Sequence, residues 1–336
     1  MAKAIALMSG GLDSTLAVLL LRRQNIEITA VTFLMYFGCD MSDKSSCTTD
    51  ATSLAHKFGF ELKMCHLADK FTEIVKNPKF GHGKNMNPCM DCRILMLREA
   101  AELMRMSGAD FIVTGEVIGQ RPMSQRRDTF PVIDREAGLK GKVLRPLSAK
   151  LMPPTEPEIN GMVDREQLYD FFGRSRKPQI ALAKELGLHD YPAPAGGCLL
   201  TEPNYAFRLR ELLSHDPDPS NRDLHLLRAG RHFRMHSGLK LLVGRDERDN
   251  DRLEELMGEG DTKFFVPDVG SPMALIIGGE PSKEDIEFSA ATCARYSDAK
   301  KEPNVSVRME RDGKCTDVNV SPIKDDVLDL YRINLP

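Results

Sequence analysis

Seven consecutive residues near the start, Ser9-Gly10-Gly11-Leu12-Asp13-Ser14-Thr15, set two glycines, three hydroxyls and one carboxylate between two apolar runs. Glycines let backbone N–H groups come close to a ligand, and a helix starting just after them points its positive end the same way. That combination suits a phosphate. Asp13 adds a carboxylate able to hold Mg²⁺, and Ser9, Ser14 and Thr15 add hydroxyls. The stretch lacks the Lys-Ser/Thr pair of the usual nucleotide loop and the G-x-G-x-x-G of dinucleotide folds. A plain strand–helix turn capped by Ser14 or Asp13 is the competing reading.

Sulfur chemistry is the second possibility the sequence offers. In "NPCMDC", Asn87 and Pro88 read as the cap and first residue of a helix, which puts Cys89 and Cys92 on one face of its first turn. A helix N-terminus lowers a thiol pKa and favours the thiolate. The C-x-x-C pattern fits a redox pair, half of a zinc site or two buried thiols. Cys198 follows in "PAPAGGC", a loop composition that keeps backbone near a ligand. Cys39 and Cys47, eight apart, match no compact metal knuckle. Cys65 and Cys293 read as small buried side chains, and Cys315 has no informative neighbour. His56, His66, His82 and His189 are scattered and read as structural.

The elements that must position these groups follow from periodicity. Strands are predicted over 3–8, 28–37, 61–67, 110–116 and 142–148, and helices over 15–23, 50–58 and 89–106. Strands alternating with helices imply an α/β fold with a doubly wound parallel sheet. Further helices are expected near 164–172, 177–186 and 205–214, then a smaller α+β domain from about 238. The division expected is 1–203, a basic helical connector over 204–237, 238–323, and a tail over 324–336. The 336 residues allow two or three cores, and a net charge of −3 leaves any nucleic-acid surface to a local patch. No run approaches a membrane span, "MAKAIALM" is too short for a signal peptide, and eight cysteines without an export signal imply reduced thiols in the cytoplasm.

The full string "SGGLDST" after a first strand resembles the pyrophosphate loop of the PP-loop ATPases, which split ATP between its α and β phosphates and adenylate a substrate oxygen. With "TGEVIGQRPMSQ" (114–125) and "VLRPLSAK" (143–150), the chain is similar to the PP-loop domain of tRNA 4-thiouridine synthetases. The resemblance implies an adenine nucleotide alpha hydrolase-like sheet. It places pyrophosphate on Ser9, Gly10, Gly11, Asp13, Ser14, Thr15 and Gly115, adenine near Thr32, Phe33 and Met35, and Mg²⁺ on Asp13. tRNA 2-thiouridylases and their relatives pair an N-P-C-x-x-C-like cysteine with a distant one. In cluster-dependent members, three cysteines hold a 4Fe–4S cluster with one iron open. Cys89, Cys92 and Cys198 match that pattern; a persulfide relay is the alternative. The implied activity is ATP-dependent tRNA uridine thiolation, releasing AMP and pyrophosphate. Its sulfur donor would be a cysteine desulfurase persulfide or sulfide.

RNA contact is expected from "RDLHLLRAGRHFRMHSGLK" (222–240), where Arg228, Arg231, Arg234 and Lys240 carry the charge, with Arg121, Arg126 and Arg127 as a smaller cluster. "VGRDERDND" and "PSKEDIEFSAATCARYSDAKK" resemble the NFACT-R domain, an RNA-associated module. That family often has Trp-Phe-His after its Gly-Asp, whereas Gly260-Asp261 here precedes "TKFFVPD". The loop begins at residue 9, without the RNA-binding domain that usually precedes it in 4-thiouridine synthetases, and nothing resembles a rhodanese domain. RNA recognition is therefore expected from the tail or the basic stretch, and sulfur handling from the three cysteines. Two other readings stay open: a PP-loop ligase making an amide or nitrile on a small molecule, and a non-catalytic RNA-binding protein.

Overall fold

A computed structural model describes residues 1–37, 51–192 and 198–335; Cys39, Cys47 and residues 193–197 of the loop before Cys198 lie outside that range. The chain divides into two compact units, Met1–Thr201 and Glu202–Pro336.

The first unit runs β1 (Lys3–Leu7), α1 (Leu12–Arg23), β2 (Glu27–Leu34), α2 (Ala51–Phe58), β3 (Glu61–His66), α3 (Ala68–Lys76), α4 (Cys89–Ser107), β4 (Phe111–Thr114), α5 (Phe130–Glu136), β5 (Val143–Leu144), α6 (Glu156–Ile159) and α7 (Lys177–Glu185). Its strands form one parallel sheet in the order β3-β2-β1-β4-β5. Side chains alternate across a strand. Thus Ala4 and Ala6 of β1 pack with Leu16, Leu20 and Leu182, while Ile5 and Leu7 pack with Ile94, Leu97 and Ile133. Burial on both faces is what makes β1 a continuous apolar run, and helices covering both faces define the doubly wound arrangement. Each such Leu or Ile contributes about 1.5–3 kcal/mol of burial.

The strand order reverses between β1 and β4, and the segments leaving these two strands open a crevice at their C-terminal ends. That switch point is where open α/β sheets bind ligands. It receives the 9–15 loop from β1 and the segment beginning at Gly115 from β4.

The second unit runs α8 (Pro203–His215), α9 (Asn221–Leu226), β6 (Arg231–Arg234), β7 (Lys240–Val243), α10 (Glu247–Glu255), β8 (Thr262–Phe265), β9 (Ala274–Ile277), α11 (Lys283–Tyr296), β10 (Val305–Arg311), β11 (Lys314–Val320) and α12 (Asp325–Asp329). The sheet, ordered β11-β10-β8-β9-β7-β6, is antiparallel. Ala290, Cys293 and Ala294 of α11 pack on its apolar face with Phe233, Phe264, Ile276 and Val307. Ser282 and Asp285 close a reciprocal cap at the start of α11.

Four local expectations change. The helix expected over 164–172 is only a 3₁₀ turn, Arg165–Gln167. Beyond it, the Tyr169 and Phe171 amides donate to Pro146 and Leu147 carbonyls, so the backbone pairs with a neighbouring segment instead of itself. The connector expected over 204–237 ends in β6, because His232 and Phe233 are buried in the sheet. The tail is part of the second unit: Leu328 is fully buried and Phe233 pairs with Arg332. Pro88 sits at the cap position itself, so α4 starts at Cys89 and Asn87 caps nothing there.

Candidate active site at the sheet's switch point

The 9–15 loop is shaped by its own hydroxyls. Ser14 Oγ donates to the Gly11 carbonyl at 3.0 Å, accepts from the Ser9 amide at 3.2 Å and lies 3.2 Å from Ser9 Oγ. Thr15 Oγ1 donates to the same Gly11 carbonyl at 3.0 Å and is 1% exposed. Ser14 and Thr15 therefore build the loop, leaving Ser9, Gly10, Gly11 and Asp13 nearer its open side. Gly10 has φ of 72°, a left-handed conformation that glycine adopts without strain. Gly11 occupies the cap position of α1, so no side chain covers the helix N-terminus. An uncapped helix end beneath a glycine turn fits an anion such as the pyrophosphate end of ATP.

Gly115 is fixed by the same geometry. A Cβ there would stand 2.5 Å from backbone atoms of Asp13 and Ser14. The two sides of the crevice touch at this glycine. Just beyond it, Gln120 Nε2 donates to Asp13 Oδ2 at 2.9 Å, while Asp13 Oδ1 is buried without a hydrogen-bond partner among the described residues. Burial raises the Asp13 pKa, opposed by Gln120, Arg176, Gln179 and Arg121. An orphaned carboxylate oxygen at this position fits a Mg²⁺ ligand. At the end of β2, Thr32 Oγ1 donates to the Met8 carbonyl at 2.9 Å, Phe33 packs against the α4 face, and Met35 is half-buried beyond the strand.

Cys89 and Cys92 occupy the first turn of α4 and Cys198 begins the described segment after residue 197. The three thiols are neighbours in the electrostatic sense: Cys92 is influenced by both Cys198 and Cys89. Cys198 Sγ donates to the Phe37 carbonyl at 3.3 Å. The expected thiolate character is not what the fold gives. Burial pushes Cys92 up to about 12 and raises Cys89 as well, outweighing Arg93 and Arg121 beside them. Among the described residues, no group of three or more His, Cys, Asp or Glu side chains is gathered to hold a metal ion.

Behind the cysteines lies a buried ionic network. Arg145, 2% exposed, pairs with Glu116 at 3.0 Å and bidentately with Asp134, and stacks on Phe130 at 4.0 Å. Glu116 also pairs with Arg93 at 3.0 Å. Burial would raise the Glu116 pKa, but Arg93 and Arg145 together hold it below the ordinary carboxylate value. The network ties α4, and so the thiols, to the strand ends. Arg93, Arg176, Gln120 and Gln179 were not singled out from sequence; Gln120 lies inside the quoted 114–125 string, while nothing local marks Gln179.

The basic stretch of the second unit does not form an open cationic stripe. Lys240 is 8% exposed, and burial pulls its ammonium down to about 8. Arg234 Nε donates to Glu211 at 2.6 Å. Arg231 donates to the Gly244 carbonyl at 2.9 Å and stacks on Tyr296 at 4.2 Å, lining a pocket of about 320 Å³. Arg228 follows α9 and is half-buried. Among the described residues, no helix is long and apolar enough to cross a membrane.

Comparison with known proteins agrees with this division. Residues 1–150 match the family model of the thiamine biosynthesis protein ThiI, and residues 230–332 match the NFACT protein RNA binding domain. The tRNA-specific 2-thiouridylase MnmA of Thermus thermophilus is 25% identical over 194 residues, covering 50% of this chain and 51% of that protein. The MnmA of Roseiflexus sp. is 24% identical over 258 residues, covering 72% of this chain and 68% of its own. A solved 4-thiouridine synthetase–RNA complex with bound ATP aligns at a TM-score of 0.35 and 19% identity, over 56% of this chain and 52% of that one. The chain thus spans about half the length of the first-matched curated relative, 51%. The first unit is thus similar to the ThiI family over residues 1–150, and the second to the NFACT RNA binding domain over residues 230–332.

Proposed function

We propose that the protein is an ATP-dependent RNA sulfurtransferase that adenylates a uracil carbonyl oxygen and then replaces that oxygen with sulfur, tRNA being the RNA substrate. One observation carries the reading: the uncapped start of α1 lies beneath a glycine turn, with the unpartnered Asp13 Oδ1 beside it at the sheet's switch point. The ThiI-type domain, the MnmA relatives and the NFACT-type domain support the same reading.

The uracil oxygen is a poor leaving group. Its attack on the α-phosphorus of ATP forms the O-adenylyl base and expels pyrophosphate. The first-turn amides of α1 receive that charge in place, at no cost of reorganisation. Asp13 Oδ1 would hold Mg²⁺, which supplies charge neutralisation on the phosphates when bound.

Sulfur enters as a persulfide on Cys198, delivered by an external persulfide donor of the cysteine desulfurase type. The Cys198 persulfide attacks the activated ring carbon and AMP leaves. Cys89 then attacks Cys198 Sγ, forming a Cys89–Cys198 disulfide and leaving the outer sulfur on the base. An external thiol reduces the disulfide. Cys89 suits the resolving role better than Cys92: burial raises both thiols, but Asn87 opposes it at Cys89, whereas deeper burial pushes Cys92 up to about 12.

Isotope exchange between pyrophosphate and ATP, with and without tRNA transcripts, tests the proposal. Exchange that requires RNA is expected. Exchange supported by a small acceptor instead would move the reaction to a ligase, and no exchange under either condition would remove the nucleotide step.

A further inference from the structure

Gln179 lies in the first turn of α7, outside the segment that matches the ThiI model, and is completely buried. Neither atom of its amide has a hydrogen-bond partner among the described residues. Packing alone gives no reason for an amide here, since an apolar side chain of the same length would fill the space without an unsatisfied donor and acceptor. Its neighbour supplies the reason. α7 packs against α1, and there the Gln179 amide helps to hold the Asp13 pKa down without completing a hydrogen bond. Asp13 Oδ1 is itself buried and unpartnered. Arg176, one residue before α7, directs its charge at the same carboxylate.

Two unsatisfied polar groups and a cation therefore converge on the uncapped start of α1. The loop from Ser9 to Thr15 contains no Lys or Arg. A departing pyrophosphate carries several negative charges, more than a helix end alone offsets. Besides a metal ion held by Asp13, protein cations must come from other elements, and Arg176 before α7 and Arg121 after β4 both act on this corner. We propose that α7 forms the second wall of the nucleotide site, with the Gln179 amide donating to the phosphate chain of ATP and Arg176 neutralising its charge. The inference rests on the nucleotide reading above and adds binding residues that lie beyond the loop and its motif.

The test uses the full chain, α,β-methylene ATP with Mg²⁺ as an uncleavable probe, and calorimetric titration alongside thermal unfolding of the ligand-free protein. Gln179→Met should bind the probe at least tenfold more weakly while unfolding at the same temperature as the wild type or higher, because an unsatisfied amide has been removed. Arg176→Met should weaken binding several-fold, and the deficit should shrink as salt is added. Wild-type affinity in Gln179→Met overturns the proposal and leaves the nucleotide site standing. Loss of affinity together with a lowered unfolding temperature assigns Gln179 to packing and also overturns it. A wild-type protein that fails to bind the probe overturns the nucleotide reading and this inference with it.

Discussion

The loop at residues 9–15 and the basic stretch at 222–240 are both dense in polar side chains, and they use them in opposite ways. In the loop, hydroxyls bond inward to the backbone and hold a bare helix end open, with one carboxylate oxygen left unpartnered. In the basic stretch, Arg234 is spent on Glu211, Arg231 on a carbonyl and a tyrosine ring, and Lys240 is buried. A dense charge run thus says little about availability until its partners are known. A motif whose work is done by backbone amides keeps its meaning wherever it is read.

That contrast can be broken or sharpened experimentally. The largest expected effect is at Asp13: Asp13→Ala should lower pyrophosphate–ATP exchange by roughly 10²–10³-fold, comparable to deleting a preorganised electrostatic group. Residual exchange near wild type would mean that the orphaned oxygen holds nothing. Cys198→Ala should keep exchange within about twofold and abolish thiolated nucleoside in digested RNA, separating the phosphate corner from the sulfur corner. Gly115→Ala drives a methyl group to 2.5 Å from the loop backbone. Denaturant unfolding should show a loss of about 2–4 kcal/mol, since backbone on both sides has to move.

The second unit gives smaller effects. A lysine held near 8 instead of 10.5 binds its proton less tightly folded than unfolded. Its cost to stability is complete below about 8, declines as pH rises to 10.5, and is gone above that. Lys240→Met should therefore stabilise the protein by about 2 kcal/mol at pH 7, with the gap to wild type closing across that window. The same variant should change RNA affinity by less than about twofold; a phosphate-contacting lysine would instead reduce both the affinity and its salt dependence.

What could be read in advance follows the same line. The strand–helix alternation and the 9–15 loop are local, and the sheet forms around them as the apolar periods demand. Cys89 and Cys92 are legible by spacing and Cys198 only through the family resemblance, while their protonation is not legible, because desolvation depends on which segments cover α4. The 204–237 segment misled because His232 and Phe233 reach the core between two arginines, a pattern that reads as a charged helix when its partner β7 is unknown. Gln179 was invisible for a related reason: its meaning lies in Asp13, 166 positions earlier in the chain and brought alongside only by packing of α1 and α7.

Under the proposed function, one crevice first splits ATP and then hands sulfur to the base it has activated. Incubating the protein with ATP, Mg²⁺, a persulfide donor and tRNA transcript, and quantifying nucleotides and digested nucleosides by mass spectrometry, tests it most directly. AMP and thiolated uridine should accumulate in equal amounts. ADP in place of AMP, or AMP without any sulfur in the RNA, would contradict it.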